Sequence, residues 1–297
     1  MAELDVSYHR EEGQAGALTV EAELRYDDPL TEGEFGAFRP NAEVVRYLEL
    51  TRERLGLRRD EMNVLDWGSG RGEYVAWLRD AGYNAFGAEI RKEAAERGKK
   101  LLEAHGHDYS LAITTIPAMG QTGLPADFFH FVFTHYVLEH VADIDAVTRE
   151  IARVTVPGGC GFHVYPAKLR PIEPHLFMPF VHWLPKSQAR KWAIAAWLAC
   201  GVDPRWDWVA AATFARKVQA YHEFCMKETF YRPFREVCHS FKKMGFTVRP
   251  VVAEHPALRR LGILPSTLKR LVVEVPVMLF QTVEIIVSKP PVAGFRS

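Results

Sequence analysis

The sequence predicts an α/β fold: a mostly parallel sheet of seven strands with helices on both faces and a helical lid inserted after the fifth strand. Three observations predict it. Apolar strand-like runs alternate with helix-like segments from Asn63 to Tyr165. A glycine turn, Gly68-Ser69-Gly70-Arg71-Gly72, joins the first strand to the first helix. The alternation lapses after Tyr165 and resumes near Pro233. Continuous apolar strands separated by helices are what a parallel sheet buried on both faces requires.

Residues 1 to about 38 show no firm periodicity and read as partly disordered. Asn41 then stands as a helix N-cap, with Val44, Val45, Leu48 and Leu55 at helical spacing and Gly56 at the stop. The first strand is Asn63 to Asp66, and the helix from Glu73 ends at Gly82. Ala85 to Ile90 is the second strand, and the helix Lys92 to Ala104 ends at Gly106. Leu111 to Ile116 and Phe129 to Thr134 follow as strands. Ile144, Val147 and Ile151 mark the buried face of the next helix, and Gly161 to Tyr165 is a fifth strand after a Pro157-Gly158-Gly159 turn.

Between Pro166 and Tyr231 prolines at 171, 174, 179 and 185 punctuate aromatic text, and two helices follow, Ser187 to Cys200 and roughly Val209 to Met226. An insertion there lies over the C-terminal edge of the sheet, where open α/β folds bind ligands. A helix from Pro233 to Met244, with Phe234, Val237 and Phe241 on one face, returns the chain to the sheet. Phe246 to Val252 and Thr282 to Ser288 are the last strands. The apolar segment Ser266 to Phe280, broken by Pro276, is a second pocket wall, a dimer surface or an interfacial patch. Four regions result: an N-terminal extension and helix (1–60), a core (61–165), the lid (166–231) and the completion of the sheet (232–297).

Composition narrows the function classes. The 297 residues carry 37 basic and 37 acidic side chains, so no bulk field draws the chain to nucleic acid, and no nucleic-acid partner is expected. Cys160, Cys200, Cys225 and Cys238 form no C-x-x-C pair, which points to a reducing, cytoplasmic setting. The N-terminus lacks the apolar core of a signal peptide, and Leu271 to Val287 is too short and too interrupted for a transmembrane segment.

Strand, glycine turn and helix let backbone N–H groups approach a ligand closely, because glycine has no Cβ. Glu89 ends the second strand 23 residues after Asp66, where an acid can accept from ribose hydroxyls. A dinucleotide motif wants a small sixth residue; counting from Gly68, this chain has Glu73 there. The run Asp66-Trp67-Gly68-Ser69-Gly70-Arg71-Gly72 instead resembles the D/E-x-G-x-G-x-G motif of class I S-adenosylmethionine-dependent methyltransferases. Leu124 to Phe133, Val137-Leu138-Glu139-His140-Val141 and Ala152 to Gly159 resemble the later motifs of that superfamily, especially its UbiE-like small-molecule branch. The match covers roughly Val64 to Tyr165. One departure is His130, where the family usually carries Asp, and it puts hydrogen bonding at that strand edge in question.

The resemblance implies a Rossmann-like core closed by an antiparallel hairpin, with S-adenosylmethionine as cofactor and S-adenosylhomocysteine as product. It implies that Asp66, Gly68, Ser69, Gly70 and Gly72 cradle the amino-acid end of the cofactor, Glu89 its ribose, with Thr134 nearby. The adenine contacts fall near Ile116 to Met119. His135 and His140 flank the end of the fourth strand and are base candidates, with His175 a third; Glu139 and His140 equally serve as loop-ordering residues. Relatives with E-x-x-E-H at this place bind a divalent metal. Tyr136 replaces the first acid here, leaving Glu139, His140 and a further histidine (His163 or His175) as an alternative metal set.

Pro171 to Pro185 and Thr229-Phe230-Tyr231-Arg232 resemble segments of glycan-modifying methyltransferases, which makes His182, Trp183, Tyr231 and Arg232 candidates for acceptor binding. Phe177, Phe180 and Trp183 suit sugar faces, or alternatively form the lid core. The leading expectation is O-methylation of a hydroxyl on a glycan, glycolipid or related metabolite. The alternatives are methylation of an aromatic or polyketide-like small molecule and a non-catalytic cofactor-binding module. A homodimer is left open.

Overall fold

The computed structural model describes residues 32–110, 112–118, 121–251 and 275–291. The expectation of disorder up to residue 31 lies outside the described residues, as do Leu111, Met119, Val252 and 266–274 of the late apolar segment. Residues 32–37 correct the reading of the N-terminus, because α1 (Glu32–Ala37) is helical.

Helix α2 (Ala42–Leu55) starts and stops on the expected residues. The Asn41 side chain accepts from the N–H groups of Glu43 and Val44, and Gly56 closes the helix at φ 67°. The alternation then runs β1 (Asn63–Trp67), α3 (Glu73–Asp80), β2 (Asn84–Glu89), α4 (Lys92–Ala104), β3 (Ile113–Thr115), β4 (Phe129–His135), α5 (Ile144–Val154) and β5 (Thr155–Pro166).

Two units emerge. The described residues up to Leu169 and from Phe230 onward form the sheet-bearing unit; Arg170–Thr229 belong to the other. In the first, α9 (Phe234–Lys243), β6 (Thr247–Pro250), α10 (Val275–Phe280) and β7 (Thr282–Ser288) complete a seven-stranded sheet of order β3-β2-β1-β4-β5-β7-β6. β1 to β5 pair in parallel, and β7 runs antiparallel to both β5 and β6. The strand order reverses between β1 and β4, the switch point at which such sheets open a ligand crevice.

The sheet is buried on both faces, as its apolar strands require. Leu48, Val75, Leu78 and Leu102 from the helices cover Val64, Phe131, Phe133 and Phe162 on one face. On the other, Ile151, Val154, Val237 and Phe241 cover Leu65, Val132, Ile285 and Val287. Each such Leu, Val or Phe contributes about 1.5–3 kcal/mol by leaving water.

Two local findings differ from sequence expectation. Pro157-Gly158-Gly159 is no turn before a strand: β5 begins at Thr155 and passes through it. Phe129 pairs with Thr155 and Phe131 with Cys160, so the glycines sit in a bulge. Lys289 holds that bulge, its carbonyl accepting from Gly158 N–H and its N–H donating to the Gly159 carbonyl. The His130 question has a direct answer. Its Nδ1 accepts from the Asn63 backbone N–H at 3.0 Å, supplying an acceptor at the strand edge as an Asp would. Burial lowers the pKa of His130, which keeps that nitrogen available as an acceptor.

The second unit contains α6 (Gln188–Ala199), α7 (Asp207–Ala210) and α8 (Phe214–Lys227). The single helix expected from Val209 to Met226 is broken, because Thr213 caps α8 by accepting from Arg216 N–H. Its core is Leu176, Met178, Ile194, Val218, Tyr221 and Phe224.

Candidate active site

The three motif glycines all have positive φ, 83° at Gly68, 53° at Gly70 and 80° at Gly72, yet they do different work. A Cβ on Gly68 would lie 2.4 Å from Val137 Cγ2, so this glycine admits the chain that follows β4. A Cβ on Gly72 would lie 2.8 Å from Ile113 Cδ1 and 3.0 Å from Gly98 Cα, so this one lets the turn press against α4. At Gly70 a Cβ would meet nothing within 4 Å. Of the three, only Gly70 borders open space that a ligand can use. Ser69 points inward, against Gly87, and its buried hydroxyl makes no hydrogen bond.

The turn is fastened from β2. The N–H groups of Gly68 and Ser69 both donate to the Ala88 carbonyl, at 2.7 and 3.1 Å. Glu89, 3% exposed, accepts from Gly70 N–H at 2.8 Å, and from the N–H and Nε of Arg91 at 3.0 and 3.2 Å. A carboxylate has about four lone-pair sites. Glu89 thus locks the glycine turn and keeps capacity for one further donor.

Asp66 ends the same cluster. It is buried, and burial pushes its carboxyl well above the usual carboxylate range, with the charges of Glu73 and Glu89 adding to the shift. Arg71 pairs with Glu73 and Arg91 with Glu89, each at 3.2 Å, so with Asp66 ionised the cluster keeps a net negative charge that suits a cation. The methionine end of the implied cofactor carries a sulfonium and an ammonium, while the N–H groups of Gly68, Ser69 and Gly70 are committed to Ala88 and Glu89, so the turn offers space rather than donors. The carboxylates and the open space at Gly70 fit that cofactor.

β4 ends at the acceptor side. The His135 ring packs on Tyr74 (centroids 5.5 Å) and on Tyr136 (4.7 Å), and burial pushes its pKa down to about 4. Tyr74 comes from α3, and its hydroxyl accepts from Asn41 N–H at 2.8 Å, tying the start of α2 to this corner. Tyr136 has φ 56° and is 42% exposed, while its N–H donates to the Val164 carbonyl. A bulky side chain in the left-handed region is uncommon and costs on the order of 1–3 kcal/mol. Sequence reasoning noted Tyr136 only as a missing acid. Neither its strain nor the place of Tyr74 at this corner has a local sequence signal.

A one-turn 3-10 helix, Leu138–His140, follows. Arg232 holds it: its guanidinium donates to the carbonyls of Leu138, Phe230 and Ala142, and Phe230 N–H donates to the Glu139 carbonyl at 2.5 Å. Arg232 thus anchors backbone, and its Nε also pairs with Glu236 at 3.1 Å, beside a cavity lined by Ala142, Asp143, Glu236 and His239. Glu139 is buried and His140 half-buried beside it.

Thr134 and His163 lie inside the sheet's second face. Thr134 Oγ1 is 3.0 Å from His163 Nδ1, both side chains are fully buried, and the His163 ring stacks on Phe241. Burial pushes His163 down to about 3. Ile116 is buried, its N–H on the Glu89 carbonyl.

In the helical unit, His175 Nδ1 lies 3.0 Å from the Glu173 carboxylate, and His182 is 5% exposed. Phe177, Phe180 and Trp183 are 62, 48 and 44% exposed; Leu176, Met178 and Val181 fill the interior instead. The lid-core reading of those three aromatics is therefore corrected. Tyr231 is half-buried.

Residues 65–162, about a third of the chain, match the family model of the methyltransferase domain. No curated protein matches. Among solved structures, the chain is similar to the YcgJ protein of Bacillus subtilis (15% identity, 83% of this chain and 99% of that one, TM-score 0.48). It is similar also to an S-adenosylmethionine-dependent methyltransferase from Mesorhizobium loti (14%, 81% and 97%, 0.46). A third is geranyl diphosphate C-methyltransferase from Streptomyces coelicolor (13%, 90% and 86%, 0.47). Likenesses this distant carry nothing about substrate.

Proposed function

We propose that the chain, whose residues 65–162 match the model of the methyltransferase domain, is a class I S-adenosylmethionine-dependent enzyme that O-methylates a hydroxyl on a glycan, glycolipid or related metabolite. The cofactor supplies a methyl carbon on a sulfonium, open to in-line attack. Asp66 and Glu73 offset the positive charge of its methionine end, and the glycine turn leaves it space at Gly70. Glu89 accepts from a ribose hydroxyl with its remaining lone pair. Holding donor and acceptor in line can supply roughly 7–11 kcal/mol of the barrier.

The observation that carries the oxygen acceptor is His135, an imidazole kept neutral by burial at the C-terminal end of β4, pKa about 4. It stays a hydrogen-bond acceptor across the physiological range and so orients a hydroxyl for attack, while its low basicity makes it a weak acceptor of the proton itself. His140, on the next turn, is the second candidate for that proton. Tyr231 is the side chain assigned to the acceptor. Glu139 and His140 remain the metal alternative.

The test is transfer of labelled methyl from the cofactor into fractionated cell extract, with and without chelator. Label in a glycan or glycolipid fraction supports the reading, and loss of label with chelator promotes the metal. Label confined to an aromatic small-molecule fraction, or to amines, removes the proposed acceptor and leaves the cofactor assignment standing. Binding of S-adenosylhomocysteine with no transfer to any fraction removes the enzymatic reading.

A further inference from the structure

The helical unit contains a loop that the methyl-transfer chemistry does not explain. Among the described residues six Phe or Trp side chains are exposed, and five of them (Phe177, Phe180, Trp183, Trp192 and Phe214) lie in Arg170–Thr229, with Phe280 the sixth. Three of the five sit on one loop, Pro171 to Leu184, together with Ile172, itself 48% exposed.

That loop is firmly built. Ile172 and Pro179 form an antiparallel bridge, Glu173 N–H donates to the Met178 carbonyl at 3.1 Å, and Phe180 N–H to the Pro171 carbonyl at 2.7 Å. The Glu173 carboxylate is fully buried and accepts from the N–H groups of His175, at 2.7 Å, and Leu176. Leu176, Met178 and Val181 turn inward as anchors. The aromatics that alternate with them turn outward, and two do so from strained backbone: φ is 55° at Phe177 and 60° at Phe180. Glycine takes that conformation freely and an L-residue does not. Exposed phenyl groups at these two positions weaken the folded chain, so what they contribute comes from something that covers them.

We propose that this loop docks on the surface of an anionic lipid bilayer, inserting Phe177, Phe180 and Trp183 at the headgroup boundary. Charge supports that occupant. Arg170–Thr229 contain eight Lys or Arg against five Asp or Glu, a formal +3, in a chain whose total is zero. The exposed aromatics therefore share a segment with an excess of basic side chains, Arg170 and Lys186 flanking the loop in sequence, the pairing that interfacial binding to anionic headgroups uses. A sugar ring fits less well, because the Phe180 and Trp183 rings meet at 57° and offer no flat platform. A second copy of the chain fits less well too. Four half-exposed side chains present on the order of 400 Å², about half of the roughly 800 Å² per partner of a stable interface. A bilayer asks for no shape complementarity, and Trp is at home at its boundary. Among the described residues no helix is long and apolar enough to cross a membrane, so the contact is with the surface. The proposal stands apart from the acceptor reading.

The test is co-sedimentation of the full chain with vesicles of phosphatidylcholine alone and with phosphatidylglycerol admixed. Binding is expected to the mixed vesicles, weakening as salt is raised, with tryptophan fluorescence quenched by lipid brominated near the headgroup. Phe177→Gly/Phe180→Gly, which relieves both strained positions, is expected to melt no lower than the parent and to lose about tenfold or more in vesicle affinity. Absence of binding to either vesicle overturns the proposal. So does a double variant that binds like the parent, or self-association in sedimentation that the double variant abolishes. Quenching on the unmodified chain reads the contact even if the variant misfolds.

Discussion

Alanine at Gly70 places a methyl group in the one part of the glycine turn that faces open space, and its two consequences separate cleanly. The backbone there has φ 53°, which an L-residue adopts at a cost of roughly 1–2 kcal/mol. The new Cβ meets nothing within 4 Å, so no packing penalty is added. For a unit of this size that cost lowers Tm by about 2–8 °C. Cofactor binding suffers differently. The methyl group stands between the turn and the ligand, and displacing the ligand from one charge-assisted hydrogen bond costs about 1.5–3 kcal/mol, or roughly 10–150-fold in Kd. Gly72→Ala is the counter-experiment. Its Cβ would overlap Ile113 and the Gly98 backbone at 2.8 and 3.0 Å, so it adds an overpacking cost of about 1–3 kcal/mol to the same φ strain. Thermal melts and isothermal titration with S-adenosylhomocysteine read both quantities. Gly70→Ala should melt higher than Gly72→Ala and still bind worse than the parent. A Gly70→Ala chain that binds with unchanged Kd would refute the assignment of that space to the cofactor.

Three further outcomes follow from the charges. Asp66 is held above its ordinary pKa by burial and by Glu73 and Glu89, so it binds a proton more tightly folded than unfolded. Its ionisation then costs stability as pH rises above the unfolded value near 3.8. Asp66→Asn should raise Tm at neutral pH while weakening cofactor affinity, and the parent should release protons on binding, seen as a buffer-dependent titration enthalpy. Loss of stability in Asp66→Asn would count against that electrostatic reading. Glu150 runs the other way: the Arg153 guanidinium and both donors of Thr122 hold it down to about 2. Its contribution is complete above the unfolded value near 4.5 and is lost as pH falls through about 2. Glu150→Gln should cost about 2 kcal/mol by denaturant unfolding at pH 7, with the difference from the parent vanishing in acid. His135→Ala and His140→Ala should each be assayed for turnover and cofactor affinity separately. The residue that takes the hydroxyl proton lowers turnover about 100-fold or more at unchanged affinity, and equal turnover in both variants returns both histidines to packing.

Much of the architecture was legible because it is local. Asn41 and Gly56 bound α2 by their own cap chemistry, and Lys92–Ala104 is a helix with the predicted ends, because caps, periodicity and glycine stops act within a few residues. The glycine turn and the acid at the end of β2 were legible for the same reason: strand, turn and strand-end are fixed by short-range backbone requirements. The apolar alternation likewise determined a sheet covered on both faces, since strands without a polar side cannot face water.

What only the tertiary structure decided are the partnerships between distant segments. The sequence reads three motif glycines as alike, but Val137 and Gly98 decide that Gly68 and Gly72 make room for protein while Gly70 alone borders open space. Arg232 reads as a pocket residue with no partner in view, and only the fold shows its guanidinium donating to the carbonyls of Leu138 and Ala142, some 90 positions away. Pro157-Gly158-Gly159 reads as a turn until Lys289 draws it into a bulged strand. Phe177 and Phe180 read equally as sugar-facing or as lid core until the inward anchors Leu176 and Met178 leave them outside on left-handed backbone. In each case local propensity sets what a segment is able to form. Which side chain becomes buried, bonded or left facing solvent depends on non-local packing, because the partner that satisfies or excludes it lies outside any window a local pattern spans.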